Sequence, residues 1–260
     1  MIKERIKKGV FFVPTMLTVG NILCGFFAII ASFNEQWLQA AIAIGIAFFL
    51  DGLDGRIARL TDTETEFGLE LDSLADLVTF GVSPAILVYT HWLVDYERLG
   101  ILLAFIFVCS AAMRLARFNA HDVKEKSMDY FNGFPTPAAA GVVVSLYFLE
   151  YKLFINSSVL PESLHGIFTV GVPVFLLSLS YIMLSNLRYP TFKNITFHEE
   201  HPFGILFILL CFVFIAVLFP FYVFSIFFFS YLLAGVLNIS RLVNYIFNRE
   251  DKELEQNAVD

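Results

Sequence analysis

Charge is what this 260-residue sequence is short of: only 16% of its residues are Asp, Glu, Lys or Arg, against about 25% in an ordinary soluble domain. Cysteine is scarce as well. Cys24, Cys109 and Cys211 stand singly inside apolar runs, with no CxxC spacing, which excludes a disulfide framework and a thiolate zinc site. The five histidines, His91, His121, His165, His198 and His201, show no metal-ligand spacing and fall at the ends of apolar stretches or in polar connections, so they read as interfacial residues. No broad basic surface is present, which argues against nucleic acid as a partner. The formal net charge of -7 is split between one aspartate-rich stretch and the tail after Asn248. A small-residue cleavage site is missing behind the first apolar stretch, so the basic start reads as a retained first helix, not a leader.

What fills the sequence instead is apolar: 58% hydrophobic residues, 31 of them Phe. The runs suit helices that cross a membrane, each near the ~20 residues that span ~30 Å of hydrocarbon. Eight are expected, at about 10–33, 36–60, 69–93, 99–118, 136–155, 166–187, 203–219 and 221–246. The expected fold is an all-α, polytopic integral membrane helix bundle. Residues 1–9 form a basic juxtamembrane segment, read as a short helix on the leaflet surface. Residues 10–248 form one membrane domain, and 249–260 a charged tail. With the N-terminus inside, fifteen of the seventeen Lys and Arg residues fall on the cytoplasmic side, leaving only Arg98 and Lys152 outside. That bias predicts cytoplasmic termini in a multi-pass protein of the cell membrane.

Against this background the stretch 51–76, DGLDGRIARLTDTETEFGLELDSLAD, is anomalous. An ionisable residue at the centre of a membrane helix costs roughly 2.5–3.5 kcal/mol on insertion scales. Asp51 and Asp54 are three apart, Asp72 and Asp76 four apart, so each pair shares one face of its own helix. Two such helices side by side bring four carboxylates together, an arrangement that needs neutralising, most simply by a pair of divalent cations. Clustered carboxylates at a membrane–water boundary suit Mg2+ or Mn2+ and phosphate chemistry. Gly55 and Gly68 leave room for close approach to the backbone, Ala58 keeps the same face open, and Arg59 is a cation able to bind a phosphate oxygen. A carboxylate at the edge of such a site can act as general base for an incoming hydroxyl. The acids Asp62, Glu64 and Glu66 between the pairs read as merely solvated.

Taken together, Asp51-x2-Asp54-Gly55-x2-Ala58-Arg59-x8-Gly68-x3-Asp72-x3-Asp76 resembles the signature of the CDP-alcohol phosphotransferase family at all eight fixed positions. The resemblance implies that the four aspartates hold two divalent ions, that Asp76 is the base, and that Gly55, Ala58, Arg59 and Gly68 line the CDP site. The reaction it implies is displacement of CMP from a CDP-linked lipid by an alcohol oxygen. Three further stretches resemble the phosphatidylserine synthase branch: VPTMLTVGNILCGFFAI from Val13, RLARFN from Arg114, and FNGFPTPAAAG from Phe131. Thr15 departs from that branch, which often has Asn after the proline. The likeness covers a little over half the chain and leaves the last three spans without an assigned role.

The expected substrates are therefore CDP-diacylglycerol and L-serine, within a setting of membrane lipids, with the active site at the cytoplasmic face. Thr18 and Asn21 are candidate nucleotide contacts, competing with plain polar packing between helices. Serine brings a carboxylate that needs a cation, for which Arg114 and Arg117, with Asn119 nearby, are candidates; their alternative reading is as markers of the cytoplasmic boundary. The resemblance is compatible with a homodimer. Two other functions compete: the same chemistry on glycerol 3-phosphate or inositol, and a cation or proton transporter. Transport predicts acids spread along a route, often with an inverted repeat; here they sit in one patch and no repeat is visible.

Overall fold

Small residues decide how the first two helices meet. In α1 (Ile2–Phe33) and α2 (Trp37–Leu60) the alanines Ala28, Ala31, Ala40, Ala41, Ala43 and Ala47 are all buried, which lets two helix backbones approach where lipid gives no hydrophobic incentive to associate. The turn between them places Glu35 at φ 60°, and the Gln36 amide donates back to the Ala31 carbonyl at 2.8 Å, the left-handed ending that helices usually give to glycine. In this computed structural model the described residues are 2–60, 65–120, 130–155, 165–190, 210 and 214–237. Residues 2–9 do not form the separate surface helix expected of them. They are the first turns of α1, which runs unbroken through Pro14 because the apolar residues 10–13 continue the helix.

The third segment begins at α3 (Glu66–Asp76), capped by Thr65, whose hydroxyl accepts from the Gly68 amide at 3.1 Å. Directly after Asp76 the helix widens into a π-helical stretch, Leu77–Val82, then continues as α4 (Ser83–Val88), a second π stretch (Tyr89–Leu93) and a 3-10 turn (Val94–Tyr96). The first π stretch is held by α1. Thr79 donates to the Asn21 carbonyl at 3.1 Å, and Ser83 to the Gly25 carbonyl at 2.9 Å and to Val78 at 2.8 Å. Gly25 is required there, because a Cβ would lie 2.8 Å from the Thr79 Cα. At Glu97, φ 47°, the chain reverses into α5 (Glu97–Ala120), and Asn119 near its end donates back to Ser73 in α3 at 2.9 Å.

α6 (Thr136–Glu150) is the central helix, its Ala138–Val144 run entirely buried. It packs on α2 and on α8 (Pro220–Val236), while α7 (His165–Leu184) packs on α5. Gly141 admits the Phe228 ring where any side chain would collide. Four stretches are long and apolar enough to cross a membrane: Pro14–Phe33, Trp37–Ile57, Glu66–Ala120 and Thr136–Phe154. The third is the hairpin folded at Glu97. Two shorter apolar helices, Val170–Leu184 and Pro220–Val236, accompany them. The outward faces carry exposed Leu23, Phe26, Phe49, Phe105 and Ile226, a surface suited to lipid and not to water. Most of the expected seventh span, the end of the eighth and the tail 249–260 lie outside the described residues.

Two polar connections depart from the all-helical expectation. β1 (Tyr130–Asn132) and β2 (Arg188–Pro190) pair antiparallel, with Phe131 opposite Tyr189. The ladder ends at Gly133, φ 82°, wedged against the Met183 and Ser185 carbonyls, and its consequence is that Tyr189 is fully buried. His91 has a partner that its place in the sequence does not reveal: its Nε2 lies 2.7 Å from Oε2 of Glu150, a residue with no exposure. Its ring packs against Trp37, Trp92 and Tyr147, with centroids 4.6–5.1 Å away.

Candidate metal centre

The end of α2 and the start of the third segment deliver their carboxylates to one place because both pairs occupy helix positions one turn apart. Asp51, Asp72 and Asp76 each present an oxygen within 4.8 Å of the others, all half-buried. The carboxyls of Asp51 and Asp76 lie in hydrogen-bond contact. Oδ1 of Asp72 and Oδ1 of Asp76 are buried with no partner. Two orphaned anionic oxygens in a cluster of like charge form a donor set suited to a hard divalent cation with oxygen ligands. The residues fit such an ion.

Asp54 stands apart from the trio. It is buried and accepts a hydrogen bond on Oδ2 from Thr18 at 3.1 Å, while staying in electrostatic contact with Asp72. Thr18 is shared with the Pro14 carbonyl, also at 3.1 Å, so α1 holds the fourth carboxylate at a fixed distance from the other three. Asn21, one turn on, is completely buried with both side-chain atoms unpartnered. A buried amide with neither donor nor acceptor satisfied is a strong sign of an absent ligand or water.

The glycines sit at the rim. Gly68 occupies the first turn of α3, and a Cβ there would crowd the capping Thr65 hydroxyl at 3.2 Å, so local structure already favours glycine. Gly55 follows Asp54 and is partly exposed. Ala58 and Arg59 continue α2, but their side chains lie outside the described residues.

The three residues expected to bind serine separate. Arg114 is buried, donates to Thr136 Oγ1 at 3.1 Å, and feels the charge of Asp76; its Nε has no partner. Arg117 donates to the Leu184 carbonyl and to Asn186, each at 3.4 Å, and is near enough to Arg114 for the two charges to interact. Asn119 ties α5 to α3 through Ser73. Thr136 and the π stretch after Asp76 were missed by sequence reasoning. The expected span 136–155 begins at Thr136, but nothing local marked it as a partner for Arg114.

The sequence profile of the CDP-alcohol phosphatidyltransferase family matches residues 11–183. A protein of Helicobacter pylori strain J99, named CDP-diacylglycerol–serine O-phosphatidyltransferase, is 34% identical over 239 residues, covering 91% of this chain and 94% of its own. Proteins of the same name from Bacillus subtilis and Methanocaldococcus jannaschii are 34% and 33% identical. They cover 70% and 68% of this chain and 92% and 73% of their own lengths.

Proposed function

The chain belongs to the CDP-alcohol phosphatidyltransferase family, and we infer that within it this protein transfers the phosphatidyl group of CDP-diacylglycerol to the hydroxyl of L-serine, releasing CMP. The observation that carries the reading is the convergence of Asp51, Asp72 and Asp76 within 4.8 Å on the eight-residue signature, in a chain whose relatives of that name match along most of its length. It is a membrane-embedded transferase of phospholipid synthesis.

In this reading Asp51, Asp54, Asp72 and Asp76 hold two divalent cations, Mg2+ or Mn2+. When bound, these neutralise the carboxylates and stabilise charge developing on the pyrophosphate. Asp76 accepts the serine hydroxyl proton. The serine oxygen bonds to the lipid-side phosphorus, the bond from that phosphorus to the bridging oxygen breaks, and CMP departs with that oxygen. Thr18 fixes Asp54, and Asn21, Gly55, Ala58, Arg59 and Gly68 receive the CDP moiety. Arg114, which feels the charge of Asp76, takes the serine carboxylate. The positive-inside bias supports a site at the cytoplasmic face of the cell membrane, in a chain of about eight spans with both termini inside. A homodimer is part of the same proposal.

The test is CMP release by purified protein in detergent with CDP-diacylglycerol and Mg2+ or Mn2+, offered L-serine, glycerol 3-phosphate or myo-inositol in parallel. Serine-dependent release abolished by EDTA is expected. Release with another alcohol alone would discard the serine assignment and keep the metal centre.

A further inference from the structure

Beyond the carboxylates, Nε of Arg114 and the hydroxyl of Tyr189 are buried donors with nothing to donate to. Tyr189 comes from β2, and its ring lies 5.7 Å from that of Tyr231 in α8 and 5.0 Å from Phe134. Tyr231 in turn interacts electrostatically with Arg114, which also feels Asp76. A line of polar groups thus runs from the metal centre through Arg114 to two phenols, and both phenols lie after the residues that the family profile covers.

We propose that Tyr189 and Tyr231 complete the acceptor subsite with Arg114, receiving the carboxylate of an amino-acid acceptor. This rests on the serine reading above and gives the chain beyond residue 183 a part in it. The chemistry favours an anionic occupant. The guanidinium is cationic at neutral pH. Burial, with Tyr231 adding to it, pushes the Tyr189 phenol up to about 12, so it remains an O–H donor. Buried donors facing no acceptor are costly unless a ligand supplies one, and a carboxylate supplies two oxygens.

The subsite is also rigid. Tyr189 is held by the β1–β2 pairing, and Gly235 of α8 leaves the space its ring occupies, where any Cβ would collide with it. The Phe134, Tyr189 and Tyr231 rings pack on one another with centroids 5.0–5.7 Å apart, which fixes where the two phenols stand. Asn119 makes its bond to Ser73 in α3 instead.

Tyr189→Phe and Tyr231→Phe keep the rings and remove only the hydroxyls. With full-length protein in detergent, CMP release is followed while L-serine is varied at saturating CDP-diacylglycerol, and then the reverse. Each variant is expected to raise KM for L-serine at least about tenfold, the worth of a hydrogen bond to a charged group, with KM for CDP-diacylglycerol and the melting temperature unchanged. A serine KM equal to wild type in both variants overturns the subsite, as does a parallel rise for both substrates or a lowered melting temperature, which marks a packing role. If wild-type protein ignores serine and uses another alcohol, the serine reading falls and the subsite with it. If wild type uses serine and the variants match it, only the tyrosines are discarded.

Discussion

The two ends of the helix bundle both bury ionisable groups, and they handle them in opposite ways. At one end Asp51, Asp72 and Asp76 bring like charges together with two oxygens unsatisfied. At the other, where α2 begins at Trp37 and α6 ends at Glu150, the carboxylate meets His91 at 2.7 Å inside a wall of Trp37, Trp92 and Tyr147. The second cluster sets its one carboxylate against an imidazole of the same chain, though the indole N–H groups of Trp37 and Trp92 stay unpartnered; the first sets carboxylate against carboxylate. Buried charge alone therefore does not mark a functional site in this membrane protein. Buried charge that the fold leaves uncompensated does, because its cost is offset only when a ligand arrives.

Replacing Asp76 should separate the two ends most sharply. Asp76→Asn is expected to lower CMP release roughly a thousandfold, within the range for losing a general base, while the amount of folded protein holds. In EDTA the same variant should melt at or above the wild-type temperature, since one member of a like-charged cluster has been neutralised. Near-normal turnover would remove Asp76 as the base. A lower melting temperature in EDTA would mean that its charge is compensated inside the fold after all.

The opposite sign is expected at the other end. Glu150→Gln removes the carboxylate that His91 meets, and losing a buried hydrogen bond to a charged group costs about 2 kcal/mol. Thermal melts in detergent should show that loss, while KM for both substrates and turnover per folded molecule stay as in wild type. His91→Gln should behave alike, and the double variant should cost less than the sum, as expected for groups in contact. A selective change in KM would show that the far end is coupled to the chemistry.

The contrast also explains what the sequence could disclose. The aspartate pairs were legible because helical spacing is local: residues three and four apart share a face whatever the rest of the chain does. His91 and Glu150 are 59 positions apart, and no periodicity joins them. The one available hint was a lone acid, Glu150, ending the apolar run before Tyr151 and Lys152. The β1–β2 pair was illegible because three-residue strands carry no alternation, yet it is what buries Tyr189. The π stretch after Asp76 arises from bonds made by Thr79 and Ser83 to carbonyls 58 residues earlier, a tertiary cause with no local trace. The signature did predict which acids gather, but not that Asp54 would stand aside on Thr18.

That last detail supplies the finest test of the comparison. Thr18→Val keeps the shape of the side chain and removes the hydroxyl that donates to Asp54. If the metal-centre end depends on an added cation, Asp54 must be aimed for it, and loss of an outer partner typically weakens metal affinity by about tenfold or more. The Mg2+ or Mn2+ concentration giving half-maximal CMP release should rise by about that factor, with turnover recovered at high metal. The melting temperature gained on adding metal should need correspondingly more of it. In the absence of metal the variant should lose no more than about 1 kcal/mol, the net worth of one hydrogen bond. Unchanged metal dependence would mean that Asp54 is held by α2 alone and that Thr18 serves only to join two helices, as Ser83 does with Gly25.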